Sequence, residues 1–125
     1  MRCISVPIDM KTRCPPKSRL RERPLLAAAA SSRLARLFKV LSNDTRLRLL
    51  HALARAGELC PTELARTVGM KPQAVSNQMQ RLVAERILVG RRDGNNVRYA
   101  IADPCVLELL DRGLCLLEDA GELRP

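Results

Sequence analysis

Two helical patterns joined at a glycine, followed at once by a hairpin signal, constrain this chain more than any other feature. Between Pro61 and Leu88, the residues Leu64, Ala65 and Val68 mark a short helix that Gly69 breaks. Val75, Met79, Leu82, Val83 and Ile87 then recur on one face of a longer helix at the 3.6-residue period. The other face of that second helix carries Gln73, Ser76, Asn77, Gln80 and Arg81. These are short or planar hydrogen-bonding groups, suited to base edges in a major groove. Two helices across a tight glycine turn, with the second polar on its outer face, have the sequence form of a helix-turn-helix. Taken alone, the same pattern equally describes two ordinary amphipathic helices.

The next residues decide between those readings. Leu88 and Val89 open an extended run, and Val97, Tyr99 and Ile101 alternate along a second. Asp93-Gly94-Asn95-Asn96 between them is a hairpin turn signal. A hairpin directly after a recognition helix is a wing, and Arg91, Arg92 and Arg98 stand where it would follow a phosphate backbone. From Lys71 to Arg98 there are six Lys/Arg and two Asp/Glu. The fold expected is therefore mainly α with a β-hairpin wing, a winged helix-turn-helix. Its DNA-facing residues are expected to be Lys71, Gln73, Ser76, Asn77, Gln80, Arg81, Arg91, Arg92 and Arg98.

A chain of 125 residues makes one domain with a modest core, so dimerisation is expected. The formal net charge of +9 calls for an anionic partner, and double-stranded DNA fits. A basic membrane-surface protein would need an amphipathic basic helix with aromatic anchors. Phe38 and Tyr99 are the only aromatic residues, and no such helix is visible. No catalytic Ser/His/Asp set, paired carboxylates or Gly-rich phosphate loop stands out, so an enzyme is not expected. With no signal peptide and no membrane-length apolar run, a reducing cytoplasm is the expected location. Cysteines there act as thiols or metal ligands rather than as disulfides.

Along the chain, residues 1–24 hold four prolines and seven Lys/Arg with little periodicity, and read as a disordered basic arm. Met10 is an alternative start to Met1, and Cys3 and Cys14 are either idle thiols or extra ligands. The winged helix-turn-helix and dimerisation domain is placed at 25–120, with a short tail at 121–125. Its first helix runs from Leu25 to Leu41 with a stripe of Leu34, Leu37, Phe38 and Leu41. Ser42-Asn43-Asp44 caps a second, Thr45 to about Ala56, lined by Leu47, Leu50 and Ala54 and thickened by Leu49 and Leu53. Arg46 and Arg48 are expected to face outward, toward phosphate. His51, the lone histidine, reads as structural or solvated. Cys60 falls at the N-cap of the third helix, before Pro61. Asp103 and Pro104 open a last helix to about Ala120. Val106, Leu109, Leu110, Leu114 and Leu117 form its apolar stripe, with Leu107 and Leu116 widening it. From Asp103 onward six acidic residues face two basic ones, so this end is expected to form a dimer seam away from DNA. The seam is assigned to Leu34, Phe38, Val106, Leu110, Leu114 and Leu117.

The run Leu41-Ser42-Asn43-Asp44-Thr45-Arg46-Leu47-Arg48-Leu49-Leu50 resembles a signature of the ArsR/SmtB family of metal-responsive repressors. Glu58-Leu59-Cys60 with Glu63-Leu64-Ala65 is similar to its third-helix region, Val75 to Leu82 to its recognition helix, and Arg91 to Tyr99 to its wing. The resemblance covers about Ser32 to Leu117 and implies a homodimer that binds a palindromic operator and is released when metal binds. Three departures stand out. Gln78 and Met79 replace the family's His-Leu in the recognition helix, which changes the operator rather than the capacity to bind DNA. Thr62 stands where the third-helix Cys-x-Cys pair would have its second Cys. In the last helix Asp103 matches a family ligand, but Cys105 and Leu116 stand where histidines would be, and Asp119 takes the Glu position.

The ligands left to this chain are mostly sulfur, and thiolates prefer soft ions. Cys105 and Cys115, ten residues apart, are separated by roughly 15 Å along one helix. They would meet only between two antiparallel last helices of a dimer. Cys60, Cys105 and Cys115 are the candidate metal ligands; the alternative is that Cys105 and Cys115 are small buried hydrophobes. Zn(II) wants four ligands, which this set supplies less naturally. Hg(II), satisfied by two sulfurs, is the preferred inducer, with As(III) and Cd(II) as alternatives. A thiol-oxidation or persulfide sensor on the same fold, and a constitutive DNA binder with no effector, are the remaining readings.

Overall fold

The protein's structure is a computed structural model that describes residues 19–122. Cys3, Met10, Cys14 and the end of the tail lie outside the described residues. A 3-10 turn at Leu20–Glu22 precedes α1 (Ala28–Leu41), α2 (Asp44–Ala56), α3 (Pro61–Val68) and α4 (Pro72–Ala84). The hairpin β1 (Leu88–Asp93) and β2 (Asn96–Ile101) follows, then α5 (Pro104–Asp119). The first helix thus begins three residues later than its apolar composition suggested, at the alanine run after Leu25 and Leu26.

Each helix starts and stops for a local reason. Asn43 Oδ1 accepts the Arg46 amide at 3.0 Å and caps α2. Cys60 and Glu63 form a reciprocal capping box on α3, with Pro61 at the first helical position. Gly69, at φ 73°, closes α3 in the left-handed conformation, where a side chain would be strained. Asp103 Oδ1 accepts the Cys105 amide at 2.8 Å and starts α5. The end of α4 differs from expectation: Ile87, read as part of the helix, lies beyond it. Arg86 takes φ 65°, its amide reaches Val83 O at 2.9 Å, and the Ile87 amide reaches Leu82 O at 3.0 Å. This is a Schellman turn with arginine in the left-handed position, and it folds Ile87 back into the core.

The core joins α2, α3, α4 and the roots of the wing. Leu49, Leu50, Leu64, Val75, Met79 and Leu82 have no exposed surface, and Leu53, Ile87, Leu88, Tyr99 and Ile101 complete it. Leu47, expected to line α2's inner side, is instead 37% exposed. The helix buries Leu49, Leu50, Ala52 and Leu53, so its inner face is rotated from the one the Leu47-Leu50-Ala54 spacing suggested. The strands pair antiparallel, Leu88 with Ile101 through Asp93 with Asn96, around a loop of Gly94 (φ 65°) and Asn95. Leu59 adds a one-residue bridge to this hairpin, exchanging hydrogen bonds of 3.1 and 2.9 Å with Tyr99. Gly90 lies opposite Tyr99, where a Cβ would come within 3.3 Å of the ring; the missing side chain lets the ring lie down on the sheet.

α1 and α5 are only partly covered. Val106, Leu107, Leu109 and Leu110 pack half-buried on the core, whereas residues 111–119 are exposed. Leu34, Phe38, Leu114 and Leu117 are all 41–48% exposed, and Leu116 reaches 70%.

Candidate nucleic-acid interface and thiol sites

The outer face of α4 stands largely in solvent. Lys71, Gln73, Asn77, Gln80 and Arg81 are exposed, and Ser76 is half-buried. Gln73 Nε2 donates to Asn77 Oδ1 at 3.2 Å and Gln80 Nε2 to Ser76 Oγ at 3.5 Å, both one turn apart. These contacts hold the amides in a row along the helix, with further donors and acceptors left for a partner. Lys71 is the N-cap of α4 but makes no side-chain cap, so the first backbone amides of the helix point outward unsatisfied by it.

Gln78 is not part of this face. Its Oε1 accepts Arg46 Nε at 2.7 Å, while Arg46 Nη1 reaches Val40 O at 2.8 Å. Arg46, expected to face outward to phosphate, instead ties the start of α2 and the end of α1 to the middle of α4. The charge at the helix start is accounted for by these acceptors rather than by a phosphate. Arg48 reaches Val68 O at 3.4 Å. His51 is exposed, in keeping with the solvated reading.

The wing arginines do not act alike. The register sets Arg91 directly opposite Arg98, a like-charge pair that is unfavourable without a counterion. Glu58 supplies it, because the Leu59–Tyr99 bridge sets residue 58 beside the wing. Glu58 Oε1 accepts Arg91 Nη2 at 2.7 Å and Arg98 Nε at 3.4 Å, and Oε2 accepts Arg91 Nε at 3.3 Å. Arg98 Nη2 also lies 3.5 Å from Glu63 Oε1. The hydrogen bond from Arg91 keeps the Glu58 carboxyl below its ordinary range, and Arg91 is correspondingly strengthened as a base. The Cys60 amide, at 2.9 Å, does the same for Glu63. Arg92 lies across the two-residue alternation from Arg91, on the other face of the strand. Neither Glu58 nor Glu63 stood out in the sequence as part of the wing; their effect depends on a bridge between residues forty positions apart.

The three candidate thiols have three different environments. Cys60 is free and buried at the start of α3, and Cys115 is free and exposed. Cys105 differs from the expectation of a free thiol: its sulfur is disulfide-bonded. The expectation rested on compartment, whereas pairing depends on how close two sulfurs lie. Among the described residues, no three His, Cys, Asp or Glu side chains gather to hold an ion. Among the same residues, no helix is long and apolar enough to cross a membrane.

Residues 41–91, from the end of α1 into the wing, match a helix-turn-helix domain family. The solved structure of the AntR antimony-specific transcriptional repressor superposes with a TM-score of 0.74 at 59% identity, over 88% of this chain and 99% of that one. The chain belongs to the ArsR/SmtB family of winged helix-turn-helix repressors. A transcriptional repressor SmtB homolog of Synechocystis is 40% identical over 63% of this chain and 59% of that protein, so the chain spans less than two thirds of its length. A probable mercury resistance operon repressor of Streptomyces lividans is 36% identical over 68% of this chain and 67% of that protein. A homodimeric winged helix-turn-helix domain from Mycobacterium bovis matches at a TM-score of 0.69 and 28% identity, over 82% of this chain and 94% of that one. ArsR/SmtB members of this kind are transcriptional repressors, not enzymes.

Proposed function

We propose that this member of the family represses transcription as a homodimer on a palindromic operator and leaves it when a soft, thiophilic ion binds cysteine thiolates. The exposed amide row on α4, with basic residues at Lys71, Arg81 and Arg92, carries the DNA half. Gln73, Asn77 and Gln80 are of the type that pairs with adenine N6 and N7, and Ser76 with several base edges. Arg91, Arg92 and Arg98 approach the phosphates. The dimer rests on Leu34, Phe38, Val106, Leu110, Leu114 and Leu117, an apolar set that a second copy would cover; the similar Mycobacterium bovis domain is homodimeric.

The inducer half rests on sulfur. Cys60 and Cys115 are free, and Cys105 supplies a third thiolate once a cellular dithiol has reduced its disulfide. Thiolate donors with carboxylates nearby suit soft ions better than Zn(II). The 59% identity to an antimony-specific repressor favours a trivalent metalloid, Sb(III) or As(III), over the Hg(II) preferred from the sequence. Hg(II) remains the second reading, on the Streptomyces lividans relative. The bound ion would favour a dimer geometry unsuited to the operator. A preference of about 1–3 kcal/mol corresponds to about 5- to 150-fold weaker DNA binding. A small shift at the seam suffices, since the two recognition helices must match one turn of DNA, about 34–36 Å.

Anaerobic titration of the operator complex with Sb(III), As(III), Hg(II), Cd(II) and Zn(II), followed by fluorescence anisotropy, tests this reading. Release is expected at the lowest concentrations with Sb(III) or As(III), and the Cys105→Ser and Cys115→Ser variants should resist it. Release by Hg(II) alone would select the second reading. Release unaltered in the Cys60→Ser, Cys105→Ser and Cys115→Ser variants would remove these residues as ligands.

A further inference from the structure

The wing arginines already have a partner. Arg91 makes a two-pronged contact with the Glu58 carboxylate, and Arg98 shares one oxygen of it, within the Glu58–Arg91–Arg98–Glu63 cluster. A carboxylate gripped by two guanidinium groups offers what a phosphate would offer: two acceptor oxygens spaced for a two-pronged contact, and negative charge at hydrogen-bond distance. We infer that Glu58 is an internal competitor of DNA phosphate for the wing, so that Arg91 and Arg98 reach the duplex only by exchanging its carboxylate for a phosphate oxygen.

The inference rests on the DNA-binding reading above and adds a restraint on it. Glu58 precedes the bridge residue Leu59 and stands two positions before Cys60, the N-cap of α3. The competitor is therefore fixed to the backbone of the domain rather than to the wing. Its side chain is only 22% exposed, whereas Arg91 is 56% exposed and free to swing out. The arrangement withholds two of the three wing arginines from casual contact with polyanions, because each phosphate contact must replace an existing ion pair. Arg92, on the opposite face, is outside this cluster and would make the first contact.

The restraint predicts the reverse of what a supporting role predicts. If Glu58 merely presents the arginines to DNA, removing its charge weakens binding; if it competes for them, binding tightens. Binding of labelled operator and random duplexes would be measured for wild type, Glu58→Gln, and the charge-matched control Glu118→Gln on the exposed end of α5. Glu58→Gln should bind both duplexes roughly two- to fivefold tighter, the upper range set by exposed ion pairs. Glu118→Gln should stay within about twofold of wild type, as one remote charge screened by salt allows. The gain should vanish when Glu58→Gln is added to an Arg91→Ala/Arg98→Ala background. Glu58→Asp keeps the net charge but shortens the reach, and should also tighten binding. It carries the same test if the glutamine variant misfolds. Emission from Tyr99, the single tyrosine in a chain without tryptophan, reports whether the wing is intact.

Equal or weaker binding by a folded Glu58→Gln variant would overturn the inference, as would a gain that survives loss of both arginines. Wild-type protein that fails to prefer the operator over random duplex would sink the operator reading alone. The ratio of variant to wild type on random DNA would still decide the role of Glu58. Absence of duplex binding by every variant at low salt would overturn both.

Discussion

Arg46 and Gln78 are polar residues of the kind that meet DNA, yet each satisfies the other. The guanidinium joins three elements through a 2.7 Å bond to Gln78 in α4 and a 2.8 Å bond to Val40 O at the end of α1. Truncating it would leave a half-buried amide oxygen and a carbonyl without their charged donor. Arg46→Ala is expected to lower stability by about 1–3 kcal/mol in urea melts. Arg46→Lys should recover little, because an ammonium lacks the fork that serves both acceptors. A variant with wild-type stability but weakened DNA binding would return Arg46 to the phosphate role the sequence suggested. The same logic separates the cysteines. Cys60 is fixed by its cap and burial, Cys115 stands in solvent, and Cys105 is bonded through sulfur. Three residues of one type thus have three chemistries.

Among the elements, α4 and the wing are joined by a turn under strain. Arg86 holds φ 65°, the one non-glycine residue among those described to do so. The strain persists because the Schellman bonds and the burial of Ile87, at 2% exposure, over-determine the turn. Arg86→Gly should therefore raise stability, by about 0.5–1 kcal/mol, the left-handed penalty less the entropy a glycine adds to the unfolded chain. A lower melting temperature for this variant would show that the arginine side chain makes a contact worth more than the strain. The turn sets the angle at which the wing leaves the recognition helix. The Leu59–Tyr99 bridge then fixes the wing to the start of α3, so α3, α4 and hairpin form one unit.

At the scale of the whole molecule, α1 and α5 keep apolar surface that the core does not cover. Leu34 and Phe38 on α1 and Leu114 and Leu117 on α5 leave apolar surface exposed among the described residues, which the proposed dimer would cover. From Asp103 onward six acidic residues outnumber two basic ones, whereas the wing carries Arg91, Arg92 and Arg98 against Asp93 alone. Leu114→Glu/Leu117→Glu should produce a monomer in sedimentation experiments. Operator affinity should fall by at least two orders of magnitude, since one half-site replaces two linked ones. Random-sequence binding should fall far less. A double variant that remains dimeric would place the seam elsewhere.

The sequence by itself determined much of what rests on neighbours along the chain, though not the left-handed turn at Arg86. Gly69 and Gly94, the caps at Asn43, Cys60 and Asp103, and the 3.6-residue stripe of Val75, Met79 and Leu82 specify two helices and a wing in order. The exposed amides of α4 follow from that stripe, because a helix with one buried face shows the other. Residues far apart in sequence needed the fold. Leu47 and Leu49 are alike in composition, and only the packing of α2 against α3 and the wing decided which is buried. Arg46, Arg91 and Arg98 all read as phosphate ligands, since charge is what a sequence displays. Their partners, Gln78, Glu58 and Glu63, lie between 32 and 40 positions away and become neighbours only when the bridge and the helix crossings form. A charged side chain goes to the nearest acceptor it can reach, and tertiary structure decides which acceptor that is.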